Sequence, residues 1–216
     1  MRKALGLPAS GPLLFTVRNL EARMGLDALI RATGILRRHF PDVLLLLGGA
    51  GSRREELESL AASLDLKDHV HFLGFVPEEQ LPRYYQAADA FVLPTRELEG
   101  FGLVTVEALA CGTPVLGTPV GATPEILRPL DPRLMFRDTR PEAMADDLRR
   151  FLDADGRDPA AGQRLRQACR DHATTRYRWD DAVGHLERTL RDLVSRRGVP
   201  ADRAPTCRGN AEEEGP

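Results

Sequence analysis

The sequence predicts an α/β fold, a Rossmann-like doubly wound parallel sheet of about six strands with extra C-terminal helices. The first observation is that short apolar runs alternate with amphipathic, helix-length segments from Leu13 to Phe136. Such alternation is typical of parallel sheets, because parallel neighbours need a crossover connection that is usually a helix. The second observation is that the pattern changes to helices alone after Pro141. These helices are an addition to the sheet rather than a second alternating unit.

The individual elements follow from the apolar pattern. Continuous apolar runs such as Val43–Leu47 are typical of strands that are buried on both faces. The six predicted strands are Leu13–Val17, Val43–Leu47, Val70–Leu73, Ala90–Leu93, Val115–Leu116 and Leu134–Phe136. The predicted helices are Met24–His39, Arg53–Leu64, Glu78–Ala87, Phe101–Cys111, Glu142–Leu152, Ala160–Thr174 and Trp179–Ser195. In a parallel sheet, ligands bind beyond the carboxyl ends of the strands, so the loops there are the candidate sites.

Composition limits the domain organisation and the classes of partner. The 216 residues fit one domain, predicted over residues 1–195, and 42% are hydrophobic, which is enough for a core. Residues 196–216 lack periodicity and are rich in Pro, Gly and Glu, so a disordered tail is predicted there. With 30 Lys and Arg against 32 Asp and Glu, the chain has no general attraction for nucleic acid. Any phosphate binding must therefore be local.

The cysteines and apolar segments bear on cellular location. The three cysteines are widely spaced and odd in number, which indicates neither a disulfide framework nor a metal cluster. A reducing, cytoplasmic location is therefore expected. The N-terminus lacks the apolar stretch of a signal peptide, and the longest purely apolar run, Val43–Leu47, is far short of the roughly 20 residues that span a bilayer. Peripheral contact with a membrane surface is compatible with this pattern.

Two carboxylates, Glu99 and Glu107, flank a glycine-containing segment after the fourth predicted strand. With a helix that starts near Phe101, a rise of about 1.5 Å per residue separates them by about 12 Å. Paired carboxylates of glycoside hydrolases lie only about 5 to 9.5 Å apart, so this spacing favours a grip on two ends of an extended ligand. Gly100 and Gly102 let backbone approach that ligand, and free N–H groups at a helix start favour phosphate. Taken alone, two such carboxylates are more often solvated helix residues.

Two further patterns carry little weight. Gly49 and Gly51 suggest a dinucleotide fingerprint, but the third glycine is missing and the segment does not follow the first strand. We interpret this segment as a loop that borders the ligand cleft. The five histidines show no metal-ligand spacing, so no metal site is predicted.

The segment Pro94–Val115 resembles the signature of family 4 retaining glycosyltransferases, which have the GT-B fold. The family pattern is P-S-x-x-E-G-F-G-L-x-x-x-E-A-x-A-x-G-x-P-V, and this chain has P-T-R-E-L-E-G-F-G-L-V-T-V-E-A-L-A-C-G-T-P-V. Upstream, Val70–Asp89 is similar to the family's strand, loop, helix and Ala-Asp step. Downstream, Val120–Glu125 resembles its Gly-Gly-x-x-Glu turn, with Ala122 at the second glycine. The resemblance covers about residues 10–190 and implies the donor-binding, C-terminal half of a GT-B enzyme.

This resemblance implies transfer of a hexosyl group from a UDP- or GDP-linked sugar, with retention at the anomeric carbon. Glu99 and Arg18 are the implied catalytic residues, with Glu99 on hydroxyls of the transferred sugar and Arg18 on the diphosphate. Glu107 holds the ribose, while Val76 lies against the base or simply packs within the fold. The implied substrate-binding residues are Arg23, Val76, Gly100, Phe101, Gly102, Leu103 and Glu107. Neither a cofactor nor a metal is implied.

One position departs from the family pattern at the phosphate site. The family motif after the first strand resembles G-R-L-x-x-x-K-G, in which an Arg and a Lys contact the phosphates. Arg18 stands at the Arg position, but the Lys position is Met24, which cannot stabilise phosphate charge. The neighbouring Arg23 is the candidate replacement, since a guanidinium can bind phosphate through two nitrogens.

The resemblance also concerns what lies outside the chain. The family's enzymes have two such domains, and the acceptor binds mainly to the N-terminal one. This chain starts at what would be the interdomain linker, so its acceptor (a glycan, lipid or small molecule) is expected to need a missing domain. The isolated chain is expected to transfer little. The alternative is a non-catalytic nucleotide-sugar-binding module; a GT-B epimerase or phosphorylase fits less well, since Lys3 and Lys67 stand in no pyridoxal-phosphate motif.

Overall fold

A computed structural model describes residues 1–196, which contain a five-stranded parallel sheet. The strands are β1 (Leu13–Val17), β2 (Leu44–Gly48), β3 (Val70–Gly74), β4 (Ala90–Leu93) and β5 (Val115–Gly117). Their order is β3-β2-β1-β4-β5, so the chain moves outward from β1 to β3 and then returns to the other side of β1. The strand order therefore reverses between β1 and β4, and such a switch point is where doubly wound sheets bind ligands.

Among the helices, α1 packs against α2 and α6, α4 packs against α3 and α7, and α6 also contacts α7. The helices are α1 (Leu26–Leu36), α2 (Arg54–Ser63), α3 (Leu81–Ala87), α4 (Leu103–Ala110), α5 (Thr123–Leu127), α6 (Pro141–Arg157), α7 (Pro159–Arg176) and α8 (Trp179–Arg196). Short 3₁₀ turns span Arg2–Leu5, Ala22–Met24 and Pro132–Leu134. Every residue of β2, β4 and β5 is buried, as expected for strands that helices cover on both faces. The predicted α/β class is confirmed.

The chain divides into two compact units, Met1–Arg176 and Tyr177–Pro216. The first contains the sheet with α1 to α7. Of the second, the structure describes α8, whose apolar residues recur every three or four positions: Trp179, Val183, Leu186, Leu190 and Leu193. That spacing gives the helix one apolar face. The tail predicted over residues 196–216 lies outside the described residues except for Arg196, and the extent of the predicted domain, 1–195, stays a prediction.

The sixth predicted strand, Leu134–Phe136, is not a strand in the structure. A 3₁₀ turn spans Pro132–Leu134 instead, and Met135 makes an isolated parallel bridge to Gly117 of β5. The backbone N–H of Phe136 donates to the carbonyl of Gly117 at 2.8 Å. The segment therefore touches the edge of the sheet without extending it, and the sheet has five strands rather than about six.

One helix of the candidate site starts later than predicted. The expected start was Phe101, but α4 begins at Leu103 because Gly102 has a φ of 72° and forms its N-cap. A left-handed φ cannot continue a right-handed helix, and glycine takes it without a steric penalty. The backbone between Glu99 and Gly102 is consequently a loop that faces the carboxyl edge of the sheet.

At the opposite, amino edge of the sheet, Asp89 joins three parts of the first unit. Its Oδ2 accepts a hydrogen bond from the backbone N–H of Leu13 at 2.7 Å and from Arg2 at 2.6 Å. Arg166 of α7 lies 3.8 Å from Oδ1 and also donates to the carbonyl of Ala88 at 3.0 Å. One carboxylate thus connects the start of β1, the N-terminal 3₁₀ turn and α7.

Candidate functional site

Loops from the carboxyl ends of β1, β4 and β5 approach one another closely, and glycines permit this. A Cβ atom at Gly25 would lie 2.0 Å from the carbonyl oxygen of Pro94, and one at Gly121 would lie 2.0 Å from that of Glu99. Both glycines have positive φ, 68° and 58°, so no other residue fits there without strain. These contacts bring the segment after β1 against the segment after β4.

Arg18 and Glu99 form an ion pair across the switch point of the sheet. Arg18 follows β1, Glu99 lies in the loop after β4, and Nη2 is 2.5 Å from Oε2. Their side chains are only 6% and 8% exposed, so the pair is held in a medium that screens charge poorly. Thr95 donates a second hydrogen bond to the same Oε2 at 2.7 Å, and the Met24 sulfur accepts one from Arg18 at 3.0 Å. The geometry fixes both charged groups before any ligand arrives.

The same pair leaves hydrogen-bonding capacity unused. Nη1 of Arg18 is buried, and no residue between 1 and 196 bonds to it. On the partner side chain, Arg18 and Thr95 both bond to Oε2 of Glu99. A buried donor without a partner is unfavourable, and such groups in native proteins need an explanation. An oxygen-rich ligand that offers acceptors to Arg18 and hydroxyl donors to Glu99 would satisfy both groups.

The second carboxylate of the motif, Glu107, has a different environment. It lies on α4, its residue is exposed, and its Oε2 accepts a hydrogen bond from the Tyr85 hydroxyl at 2.9 Å. At the start of this helix no side chain caps the backbone N–H groups, and Gly102 carries no side chain that would cover them. Glu99 and Glu107 therefore lie on either side of a helix N-terminus, where the helix dipole favours an anion.

The other predicted site residues divide into two sets. Arg23 donates to the carbonyl of Leu98 at 2.8 Å, which places its guanidinium beside the loop that carries Glu99. Phe101 and Leu103 are 45% and 56% exposed at the start of α4. Val76, by contrast, is only 7% exposed, and a γ-methyl group of its side chain would lie 3.1 Å from a Cβ at Gly48. Its side chain packs within the fold instead of forming an open surface.

Gly100 completes the predicted set. A Cβ atom at this position would meet nothing within 4 Å, so the backbone there is open. Its carbonyl accepts a hydrogen bond from Ala122 at 3.2 Å, which ties this loop to the segment after β5. The loop is thus fixed on one side and accessible on the other.

Sequence reasoning missed several residues that build the site. Thr95 donates a hydrogen bond to Glu99, and Tyr85 donates one to Glu107. Phe75 is 81% exposed at the end of β3, beside Val76. The Phe75 signal was available, since an aromatic directly after a parallel strand stands at the ligand-binding edge. The roles of Thr95 and Tyr85 depend on distances between elements and have no local sequence pattern.

Met24 occupies the position of a family Lys, and the structure assigns it another role. Its side chain is 4% exposed, and its sulfur accepts a hydrogen bond from Arg18. We expect Met24→Lys to lower the free energy of unfolding by about 2 kcal/mol, because it buries an ammonium group beside the Arg18 guanidinium. Urea unfolding measures this change. Met24→Leu is the control, because it keeps the apolar volume and should cost less than about 1.5 kcal/mol; equal stability of the Lys variant and wild type would contradict the expectation.

The described residues contain neither a cluster of metal-binding side chains nor a membrane-spanning helix. Between residues 1 and 196, no three or more His, Cys, Asp or Glu side chains come together as a metal site would require. No helix in that range is both long and apolar enough to cross a membrane.

Comparison with known proteins gives the site a context. The family model described as glycosyl transferases group 1 matches residues 1–174. The chain is 34% identical over 217 residues to a D-inositol 3-phosphate glycosyltransferase of Corynebacterium urealyticum, covering 97% of this chain and 50% of that protein. It is 39% identical over 131 residues to a GDP-mannose-dependent alpha-(1-6)-phosphatidylinositol monomannoside mannosyltransferase of Mycolicibacterium smegmatis, covering 58% of this chain and 34% of that protein.

A solved structure agrees with these relatives. Sucrose-phosphate synthase from Thermosynechococcus elongatus superposes with a TM-score of 0.78 at 30% identity, covering 90% of this chain and 48% of that one. The chain therefore spans about half the length or less of these three proteins. The matched half includes the loops that carry Arg18, Glu99 and Glu107.

Proposed function

Since the chain belongs to the group 1 family of glycosyl transferases, we propose that it binds the nucleotide diphosphate sugar in a hexosyl transfer with retention at the anomeric carbon. The observation that carries this proposal is the buried Arg18–Glu99 pair at the switch point of the sheet, with Nη1 of Arg18 unpartnered among the described residues. The pair offers a fixed cation and a fixed carboxylate at adjoining positions. A diphosphate joined to a sugar presents the complementary groups in the same order.

Each group has a part in the proposed reaction. Glu99 accepts hydrogen bonds from hydroxyls of the transferred sugar and orients its anomeric carbon. Arg18 and the backbone N–H groups from Phe101 to Leu103 face the diphosphate, whose negative charge increases as the glycosidic bond breaks. Donors that are fixed before the reaction stabilise such developing charge without rearranging, which is the largest contribution in many enzymes. In this proposal, side chains and backbone of the chain stabilise the departing diphosphate without a cofactor or a metal.

The rest of the nucleotide extends along the carboxyl edge. In the proposal Glu107 binds the ribose, and the exposed ring of Phe75 stacks on the base, with Val76 supporting the loop from beneath. Arg23 is placed to hold the Glu99 loop through the carbonyl of Leu98, and its guanidinium serves as the second cation for the phosphates. Both described cysteines are free, which supports the cytoplasmic setting of this proposal.

The acceptor is expected to come from outside this chain. The relatives are about twice as long, so the matched half supplies the donor site, and a glycan, lipid or small-molecule acceptor would bind to the other half. We therefore expect the chain by itself to bind donor weakly and to transfer little. Rapid sugar transfer by the isolated chain would contradict this division of the site.

Calorimetric titration with UDP, GDP, UDP-glucose and GDP-mannose tests the proposed function. We expect at least one of the four to bind in the millimolar range or tighter, and failure of all four would overturn the donor site. Glu107→Ala should weaken free and sugar-linked nucleotides alike, because it removes the ribose contact. Glu99→Ala should mainly reduce the preference for the sugar-linked form, by about tenfold for a lost charged hydrogen bond.

A matched variant guards against unspecific effects in that titration. Glu142→Ala removes an exposed glutamate from the first turn of α6, away from the carboxyl-edge loops, and should leave every affinity unchanged. Equal weakening of free and sugar-linked nucleotide by Glu99→Ala would contradict the role proposed for Glu99, even if the donor site itself is correct.

A further inference from the structure

Tyr85 is a buried tyrosine whose hydroxyl reaches the candidate site. Its side chain is 1% exposed on α3, and its ring packs edge-on against Phe15 of β1 and Phe91 of β4, with centroid separations of 5.4 and 5.3 Å. Its backbone carbonyl accepts a hydrogen bond from the buried Thr113 hydroxyl at 2.7 Å. Ring and backbone are therefore both fixed, and the hydroxyl has one position from which it can donate.

That hydroxyl donates to Glu107 at 2.9 Å. Burial and the negative charge of Glu107 both raise the pKa of Tyr85 far above its ordinary value, so the hydroxyl keeps its proton at any pH at which the protein is used. A neutral, permanently protonated tyrosine is a reliable donor to a carboxylate. Among residues 1–196, Glu107 is the one hydrogen-bond partner of this hydroxyl.

The effect of this bond falls on Glu107. A glutamate on the exposed side of a helix has three side-chain torsions and ordinarily samples several rotamers, which costs free energy when a ligand selects one of them. The bond to Tyr85 holds one carboxylate oxygen, Oε2, and does not involve the other oxygen, Oε1. The core of the sheet thereby sets the orientation of an exposed binding residue.

We infer that Tyr85 is a positioning residue that orients Glu107 toward the ribose hydroxyls and so makes the site prefer ribonucleotides. This inference rests on the proposed function, because it takes the nucleotide to lie between Glu99 and Glu107. The ligand class that it specifies is a nucleoside diphosphate with free hydroxyls on the ribose. The Tyr85 side chain is buried, so in this inference it acts on the nucleotide through Glu107 and does not contact it.

The test compares UDP and GDP with their 2′,3′-dideoxy analogues, which lack both ribose hydroxyls, by calorimetry. In wild type we expect the ribonucleotide to bind more tightly than its analogue. Tyr85→Phe keeps the ring and removes the hydroxyl, and it should reduce that preference by about fivefold to tenfold. The dideoxy analogue should bind both proteins equally, because it makes no use of the oriented carboxylate. A merely structural role would weaken both ligands together and leave the preference unchanged.

Tyr84→Phe is a matched control in the same helix. Tyr84 also stacks on Phe15, with centroids 5.5 Å apart, but its hydroxyl does not bond to Glu107. This variant should keep the ribonucleotide preference of wild type. In a Glu107→Ala background, adding Tyr85→Phe should produce no further change, because the two residues act through one contact. Circular dichroism and thermal unfolding establish that each variant is folded as wild type is.

The outcomes separate the inference from the function on which it rests. If wild type binds neither UDP nor GDP, the donor site is wrong and the role of Tyr85 is overturned with it. If wild type binds and prefers the ribonucleotide, while Tyr85→Phe keeps the full preference, only the role of Tyr85 is overturned. An additional loss from Tyr85→Phe in the Glu107→Ala background would likewise show that Tyr85 acts by another route.

Discussion

Arg18→Met should lower the free energy of unfolding by about 3 to 5 kcal/mol, the cost expected when a buried ion pair loses one partner. The remaining Glu99 carboxylate is 8% exposed and would keep the hydrogen bond from the Thr95 hydroxyl but lose its cation. Methionine resembles the aliphatic part of arginine in length, so the variant removes the charge with little change in packing. Urea unfolding followed by circular dichroism measures the loss. Binding of the nucleotide diphosphate should weaken at least tenfold in the same variant, since the phosphates lose their buried cation.

The double variant Arg18→Met with Glu99→Leu separates stability from binding. When both charges are removed, no charge is left buried without a partner, and the remaining cost is the buried Thr95 hydroxyl, which loses its acceptor. Buried pairs replaced by apolar residues are often as stable as before. We expect the double variant to recover most of the lost stability and none of the binding. Arg150→Met, which removes a 59% exposed arginine paired with Asp146, should unfold as wild type does. If Arg18→Met is as stable as wild type, the Arg18–Glu99 ion pair is not desolvated in the folded protein.

Asp89→Asn is expected to have the second largest effect, a loss of about 2 to 3 kcal/mol in the free energy of unfolding. The substitution preserves shape but removes the negative charge that faces Arg2 and Arg166. It also weakens the acceptor of the Leu13 backbone N–H, and Leu13 is 3% exposed at the start of β1. Hydrogen bonds between charged groups are stronger than neutral ones, so the amide replaces only part of the interaction. Chemical denaturation measures the loss.

Because Asp89 lies at the amino edge of the sheet, nucleotide affinity should not change while the protein is folded. Asp65→Asn makes the same chemical substitution at a side chain that is 98% exposed, and should leave stability unchanged. A stable Asp89→Asn variant, or one with altered nucleotide affinity at full occupancy of the native state, would contradict the purely structural role assigned to Asp89.

Most of the sheet could be predicted from the sequence because its strands are continuous apolar runs. Leu13–Val17 and Ala90–Leu93 have the predicted bounds, and the other observed strands differ by a residue or two. The exception is Leu134–Phe136, an apolar segment that makes one bridge at the edge of the sheet, where no periodicity distinguishes a strand from a packed turn. The helix Thr123–Leu127 was missed because five residues are too few to show a helical period.

The family could be predicted because its signature is long and local, and the family match over residues 1–174 confirms the resemblance. The contacts between the side chains of the site could not be predicted. Arg18 and Glu99 meet only because β1 and β4 are neighbours in the sheet and because two glycines let their loops touch. At Met24 the family pattern predicts a lost phosphate contact, whereas in the structure its sulfur accepts a hydrogen bond from Arg18. The roles assigned to these residues in the reaction stay predictions.

The burial of Cys169 makes α7 suitable for measuring local opening. This thiol is fully buried in a helix that packs against α4, and burial raises its pKa to about 12. The thiolate is the reactive form, so near neutral pH an alkylating reagent modifies Cys169 only when the helix detaches and exposes it. Peptide mass mapping distinguishes this cysteine from the other two. The rate of alkylation is then compared with and without nucleotide. A slower rate with nucleotide would show that a ligand at the N-terminus of α4 stabilises the packing of α7 against α4.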